Sequence, residues 1–252
     1  MSTSDAMQRD WDERAKKNAF HYIASWQECW DIDSFLTSGE RDFQQFVSPV
    51  LERCHLPPAG KVMIELGCGV GRMTRTFAHH YESVLAIDVS AEMLRQARKI
   101  HAREDNILWI HAGGTDLGFV SNGSADFVFS YLVLQHLPSE ELGVGYVQEM
   151  LRVLRPGGVF LFQFNGSAKP TMNLRGRLAW GIIDSLWSLG LRIPSRMFAS
   201  IFGLDPSAAG KSWRGAVMGL DKAADTVRAS GGEILEISGR DTPMAWCCGI
   251  KT

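Results

Sequence analysis

The sequence predicts an α/β fold built on a parallel sheet covered by helices on both faces. Three observations carry that prediction. Short, almost continuously apolar runs alternate with helical patterns between residues 62 and 164, as βαβ units do. A glycine-rich loop joins the first run to a helix pattern, and an acid closes the second run. The chain has 252 residues, 45% of them hydrophobic, which is room for one full domain with an insertion or extension.

Residues 5–55 read as helical, with Phe43, Phe46, Val47, Val50 and Leu51 at helical spacing. Leu56-Pro57-Pro58-Ala59-Gly60 breaks that pattern. Residues 62–66 are the first strand, followed by the glycine loop and a helix through about His80. The second strand is 84–88. Ser90 can cap the next helix, with Glu92 in its first turn, and this helix runs to about Arg103. Strands follow at 107–111 and 125–130, then a helix over 139–154. Arg155-Pro156-Gly157-Gly158 reads as a turn before a fifth strand at 159–164. A last helix at 221–230 ends at Gly231-Gly232, and two strands follow near 233–238 and 243–250. The segment 166–220 interrupts this alternation.

Twenty-six Lys and Arg stand against 28 Asp and Glu, a net charge of −2, which argues against a protein that coats nucleic acid. The balance is uneven. Residues 166–220 hold seven basic residues and two acids, a net +5, so the rest of the chain carries −7. The first seventeen residues have no apolar signal core. Five cysteines show no CxxC spacing, which predicts reduced thiols in a cytoplasm and no metal centre. The adjacent Cys247 and Cys248 are expected to pack in a strand. No run reaches the ~20 apolar residues that span a bilayer, so membrane contact would be peripheral at most.

The chemistry sits in two motifs. Glu65-Leu66-Gly67-Cys68-Gly69-Val70-Gly71-Arg72 follows a strand and opens a helix, where glycines let a ligand approach the backbone and free N–H groups face an anion. A dinucleotide fingerprint reads GxGxxG; here the third glycine comes one position early and an acid precedes the first. Asp88 lies 21 residues after Gly67 at the end of the second strand, where a carboxylate can accept both hydroxyls of a ribose. Together they predict a nucleoside ligand.

On these residues the chain resembles the class I S-adenosylmethionine-dependent methyltransferases. The resembling stretches are IELGCGVGR (64–72), VLAIDVSAEML (84–94), the region of Thr115 and Asp116, ADFVFSYLVLQHLP (125–138) and VLRPGGVFLF (153–162). The resemblance implies a Rossmann-like three-layer sandwich whose seven-stranded, mostly parallel sheet has an antiparallel last strand. It implies S-adenosyl-L-methionine as cofactor, lying across the carboxyl ends of the strands. Carried over residue by residue, Glu65, Gly67, Cys68, Gly69 and Gly71 belong to the loop facing the methionine part, with Arg72 near its carboxylate. Asp88 would hold the ribose, with Val89 and Met93 beside the adenine. The family often has Gly-Asp after the third strand, where this chain has Gly113-Gly114-Thr115-Asp116, so Thr115, Asp116 or a backbone amide reads the adenine. Ser130, Tyr131 and Leu132 would run beneath the sulfonium.

Methyl transfer needs positioning, exclusion of water and sometimes removal of a proton. His136, just after the fourth strand, is the candidate base, because imidazole titrates near neutral pH. Capping the following turn, or packing beneath the cofactor, is its plain alternative. His79, His80, His101 and His111 are expected to be structural or exposed. The sequence lacks both the (Asp/Asn/Ser)-Pro-Pro-Tyr motif of amino methylation on adenine or glutamine and the Pro-Cys of cytosine methylation.

A small, partly hydrophobic acceptor methylated on O or N is therefore expected. Tyr22 and Trp26, with Trp11, sit in an N-terminal helical cap (1–60) that would close over a core formed by 61–165 and 221–252. The insertion 166–220 carries an apolar helical stripe that includes Trp180 and Trp187, flanked by arginines, and ends in Lys211-Ser212-Trp213-Arg214. It reads as a lid over the acceptor. A surface resting on a membrane, serving a lipid or quinone-like acceptor, is the second reading. A non-catalytic S-adenosylmethionine-binding protein is the third. A nicotinamide-dependent oxidoreductase is disfavoured by the GxGxG spacing, and an aminopropyl transferase by the basic insertion. No oligomeric state is predicted.

Overall fold

The computed structural model describes residues 3–27, 29–57, 61–114, 116–166, 182, 215–240, 242 and 244–252. Seven strands form one sheet: β1 (Val62–Leu66), β2 (Ser83–Asp88), β3 (Ile107–His111), β4 (Ala125–Ser130), β5 (Leu154–Phe164), β6 (Gly232–Ser238) and β7 (Ala245–Lys251). Their spatial order is β3-β2-β1-β4-β5-β7-β6. All neighbours run parallel except β7, which is antiparallel to both β5 and β6. The described helices are α1 (Thr3–Ile23), α2 (Ile32–Asp42), α3 (Ser48–Arg53), α4 (Thr74–His80), α5 (Ala91–Ile100), α6 (Glu140–Val153) and α7 (Leu220–Ala229). A π-helical turn, Phe43–Val47, joins α2 to α3.

The strands read as apolar runs because the sheet is covered on both sides. β4, at its centre, is buried at every residue. One core lies between the sheet and α6 and α7, around Val147, Met150, Phe160, Phe162 and Val227. The other lies under α3 and α4, around Phe77, Phe127, Phe129 and Leu161. Three differences from the sequence reading have physical causes. The N-terminal region is not one helical run: residues 24–27 and 29–31 are non-helical, and Asp31 starts α2 by accepting the Ser34 N–H at 2.9 Å. Residues 155–158 are not a separate turn. β5 begins at Leu154, opposite Ala125, and its register shifts between Ala125 and Phe127. A bulge thus absorbs the Pro-Gly-Gly within the strand. Two of the histidines read as structural or exposed also have hydrogen-bond partners that the sequence did not show: His101 Nε2 lies 3.0 Å from the Val70 carbonyl and His111 Nε2 3.0 Å from that of Val89. Cys247 and Cys248 are buried in β7, and burial pushes their thiols up to about 12 and about 11.

The order places β1 beside β4, so the chain leaves β1 to one side and β4 to the other. Ligands of open α/β sheets sit at this switch point, outside the carboxyl ends of the strands.

Candidate functional site

A cavity of about 590 Å³ opens at that switch point, within the roughly 300–1,000 Å³ typical of ligand pockets. Its floor is the glycine loop after β1. Gly67 has φ +76°, a left-handed conformation that glycine adopts without penalty, and a Cβ there would lie 2.1 Å from Val133 Cγ2. The Gly67 and Cys68 N–H groups donate to the Ile87 carbonyl at 2.7 and 3.0 Å, tying the loop to the end of β2.

Asp88 follows directly. Its Oδ2 accepts the Gly69 N–H and its Oδ1 the Ser90 N–H, both at 2.8 Å. One carboxylate therefore fixes the glycine loop and the start of α5 together. Burial raises its pKa, against the lowering pull of those N–H groups. Glu65 is buried as well, and its Oε2 accepts the Thr74 hydroxyl at 2.5 Å. Burial pushes its carboxyl up to about 8, against the opposing pulls of Thr74 and Arg72. The Arg72 guanidinium pairs with Asp42 at 2.7 Å and lies 5.3 Å from the Trp26 ring and 5.8 Å from that of Tyr131. Its charge is thus already balanced from α2.

The far end is the segment after β4. Tyr131 packs against Trp246, ring centroids 4.9 Å apart, and burial pushes its hydroxyl up to about 12. Leu132 has φ +59°, unusual for a side chain of its size. Its N–H donates to Gln163 Oε1 at 3.1 Å. His136 closes a short 3-10 turn (Leu134–His136), its ring edge-on to Trp11 at 5.7 Å. Residues 215–218 run along this segment: the Gly215 and Ala216 N–H groups donate to the Gln135 and Leu137 carbonyls at 3.0 and 2.8 Å.

The N-terminal helices roof the cavity. Met7, Trp11, Tyr22, Ile23 and Trp26 line it. α1 is held to α5 by Asp12, whose Oδ1 accepts the Ser90 hydroxyl at 2.6 Å and the Glu92 N–H at 3.0 Å. α2 approaches the loop so closely at Gly39 that a Cβ there would lie 2.1 Å from the Arg72 carbonyl oxygen.

The structure thus brings Glu65, Gly67, Cys68, Gly69, Arg72, Asp88, Val89, Met93, Tyr131, Leu132, His136, Tyr22 and Trp26 to one cavity. Gly71 supports the loop beneath, its N–H donating to the Cys68 carbonyl at 2.9 Å. Asp116 does not line the cavity. Its side chain is exposed and its Oδ1 accepts the Gly118 N–H at 2.9 Å, while Ala112 lines the wall after β3. Thr115, Trp180, Trp187, Trp213 and Arg214, and with them nearly all of the basic insertion, lie outside the described residues. Sequence reasoning missed Ala112, Tyr146 and Asn165. Ala112 and Asn165 each directly follow the carboxyl end of a parallel strand, and that rule would have found them. Among the described residues there is no group of three His, Cys, Asp or Glu that could hold a metal, and no helix long and apolar enough to cross a membrane.

Strand order, glycine loop, acid and cavity together resemble those of the class I S-adenosylmethionine-dependent methyltransferases. Residues 64–162 match the methyltransferase-domain family. It is 32% identical over 155 residues to a malonyl-[acyl-carrier protein] O-methyltransferase of Pectobacterium atrosepticum, covering 61% of this chain and 54% of that protein. It is 32% identical over 137 residues to a trans-aconitate 2-methyltransferase of Azoarcus, covering 53% and 50%. The chain spans about half the length of the curated relatives it matches. In fold it is similar to the magnesium protoporphyrin IX methyltransferase of Synechocystis solved with bound SAM. The TM-score is 0.62 at 12% identity, over 100% of this chain and 98% of that one.

Proposed function

We propose that the cavity binds S-adenosylmethionine and that the chain transfers its methyl group to an oxygen or nitrogen of a small, partly hydrophobic molecule. The observation that carries this reading is the continuity of one cavity from Asp88 and the glycine loop to Tyr131, Leu132 and His136. A nucleoside end and a reacting end thus share one enclosed space. When bound, S-adenosylmethionine supplies a methyl group already activated on a sulfonium. The residues then have to bind, align and keep out water.

In this reading Asp88 takes the ribose hydroxyls, with Val89 and Met93 along the adenine. The loop from Glu65 to Gly71 lies against the methionine part. Arg72, already paired with Asp42, contributes N–H donors more than net charge. Tyr131 and Leu132 support the sulfonium, and Trp11, Tyr22 and Trp26 shield it from water. His136 is the polar side chain offered to the acceptor. The chain is then a cap (1–60), a core (61–165 and 221–252) and an acceptor-facing lid (166–220). Trp180, Trp187, Trp213 and Arg214 of that lid complete the acceptor side.

Labelled S-adenosylmethionine incubated with the chain and a panel of small metabolites tests the activity. Transfer of label to one acceptor supports the reading. Failure of both S-adenosylmethionine and S-adenosylhomocysteine to bind by calorimetry overturns it. With the acceptor in hand, His136→Ala should lower turnover while leaving cofactor affinity nearly unchanged; a fully active variant would remove His136 from the reaction.

A further inference from the structure

The end of the cavity that holds His136 is wired through four side-chain amide contacts, and their polarity can be read from the backbone outward. Gln163, fully buried on β5, is the starting point. Its Oε1 lies 3.1 Å from the Leu132 N–H, which can only donate. Its Nε2 lies 3.1 Å from the Phe164 carbonyl, which can only accept. Two backbone groups of opposite kind thus fix which end of the Gln163 amide is oxygen.

The rest follows in one direction. Gln163 Nε2 also donates to Gln135 Oε1 at 2.9 Å. With its oxygen so engaged, Gln135 turns its Nε2 toward His136 Nε2, 3.1 Å away. An amide nitrogen is a donor, so the ring nitrogen facing it must accept. Nε2 of His136 therefore carries the lone pair, and the single proton of the neutral ring is on Nδ1. An imidazolium, or the other tautomer, would set N–H against N–H.

We propose that Gln163 is a positioning residue that, through Gln135, holds His136 neutral with its proton on Nδ1. The strained Leu132 is part of the device. A left-handed residue of this kind costs on the order of 1–3 kcal/mol and persists where its surroundings hold it. Here it aims the N–H that sets the amide's direction.

The consequence deepens the proposed methyl transfer and rests on it. With Nε2 committed to Gln135, His136 cannot take a proton from the acceptor there unless that amide turns away. With Nδ1 buried as well, the ring is a fixed neutral wall beside the acceptor and does not serve as a base. The acceptor that suits this arrangement attacks with a lone pair it already has, as a carboxylate or an unprotonated amine does.

The proton's position can be read without cofactor or acceptor. Nitrogen-15 NMR of the full chain labelled at its seven histidines, with His136 assigned by its loss in His136→Asn, reports both ring nitrogens. The spectra are taken at about pH 8.5, roughly two units above the ordinary imidazole pKa. The wild type should show a proton-bearing Nδ1 and a bare Nε2. Gln135→Glu places a half-exposed carboxylate, an acceptor, opposite Nε2 and should move the proton there. Gln163→Leu removes the backbone anchor and should give a mixture of tautomers. A wild-type His136 protonated on Nε2, or a Gln135→Glu spectrum with the proton still on Nδ1, overturns the proposal. A Gln163→Leu spectrum identical to wild type overturns the part given to Gln163. Cofactor binding by calorimetry is a separate readout, so failure of the methyltransferase reading would be distinguished from failure of the relay.

Discussion

The two ends of the cavity are held in different ways. At one end, Gly67, Cys68, Gly69 and Asp88 lie within one β1–α4–β2 unit and tie themselves together by backbone N–H groups: Gly67 and Cys68 to Ile87, Gly69 to Asp88. At the other end, Leu132, Gln135 and His136 depend on Gln163 about 30 residues away in the chain and on residues 215–218, about 80 away. The first end is set by local geometry that a ligand-binding fold repeats. The second is set by contacts between segments far apart in the chain. A shared cofactor with differing acceptors is the pattern such a division would serve.

The sharpest way to break the comparison is at Asp88, where the local end has a single keystone. Asp88→Ala removes hydrogen bonds to the ribose in the proposed reading and the acceptor of two loop N–H groups. We expect cofactor binding to weaken by ~1–3 kcal/mol, roughly 5- to 150-fold. Calorimetry with S-adenosylhomocysteine measures it, and wild-type affinity would show that the local end does not hold the nucleoside.

This division also explains what the sequence made readable. Six of the seven strands were placed to within two residues, and only the start of β5 was missed, by five, because a sheet buried on both faces writes apolar runs into the chain. The local end was legible for the same reason: glycines, strand end and acid stand at fixed spacing. Gln163 was invisible. A lone glutamine in an apolar strand gives no sign that its amide reaches Leu132 and Gln135, since that depends on how β4 and β5 pair. Asp116 is the opposite case. It stands near the right place in the chain, but its side chain is exposed and accepts the Gly118 N–H.

A second test asks whether the floor of the cavity is built for a ligand at some cost to the fold. Glu65 is an acid whose folded pKa is raised, from 4.5 to about 8, by burial. The folded state then holds its proton more tightly than the unfolded state. The contribution to stability is full below about pH 4.5 and is lost as pH rises toward 8. Asp88 is raised in the same direction and adds to the slope. Without ligand, Glu65→Gln should gain on the wild type by about 3 kcal/mol between pH 5 and pH 8. Thr74 can still donate to the amide oxygen. Denaturant titrations at the two pH values check this, and parallel curves for the two proteins would show that Glu65 is not desolvated.

The smallest expected effect lies where the roof meets the local end. Asp12 reaches from α1 to the start of α5, where Ser90 already caps the helix by accepting the Met93 N–H at 3.1 Å. The Asp12 carboxylate at this helix N-terminus also meets the positive end of the helix dipole. Losing a cap costs roughly 0.5–2 kcal/mol, and because Ser90 remains, Asp12→Ala should fall near 1 kcal/mol. That loss should not be spread evenly. α5 keeps its own cap and its buried Met93, Leu94 and Ala97, whereas the docking of α1 on α5 retains the Gln96 amide on the Ala15 carbonyl at 3.0 Å and some apolar contact. Hydrogen exchange should therefore accelerate in α1 more than in α5, and cofactor should leave faster as Met7 and Trp11 lose their hold on the cavity. Equal acceleration in both helices would mean that Asp12 stabilises α5 and does not dock the roof.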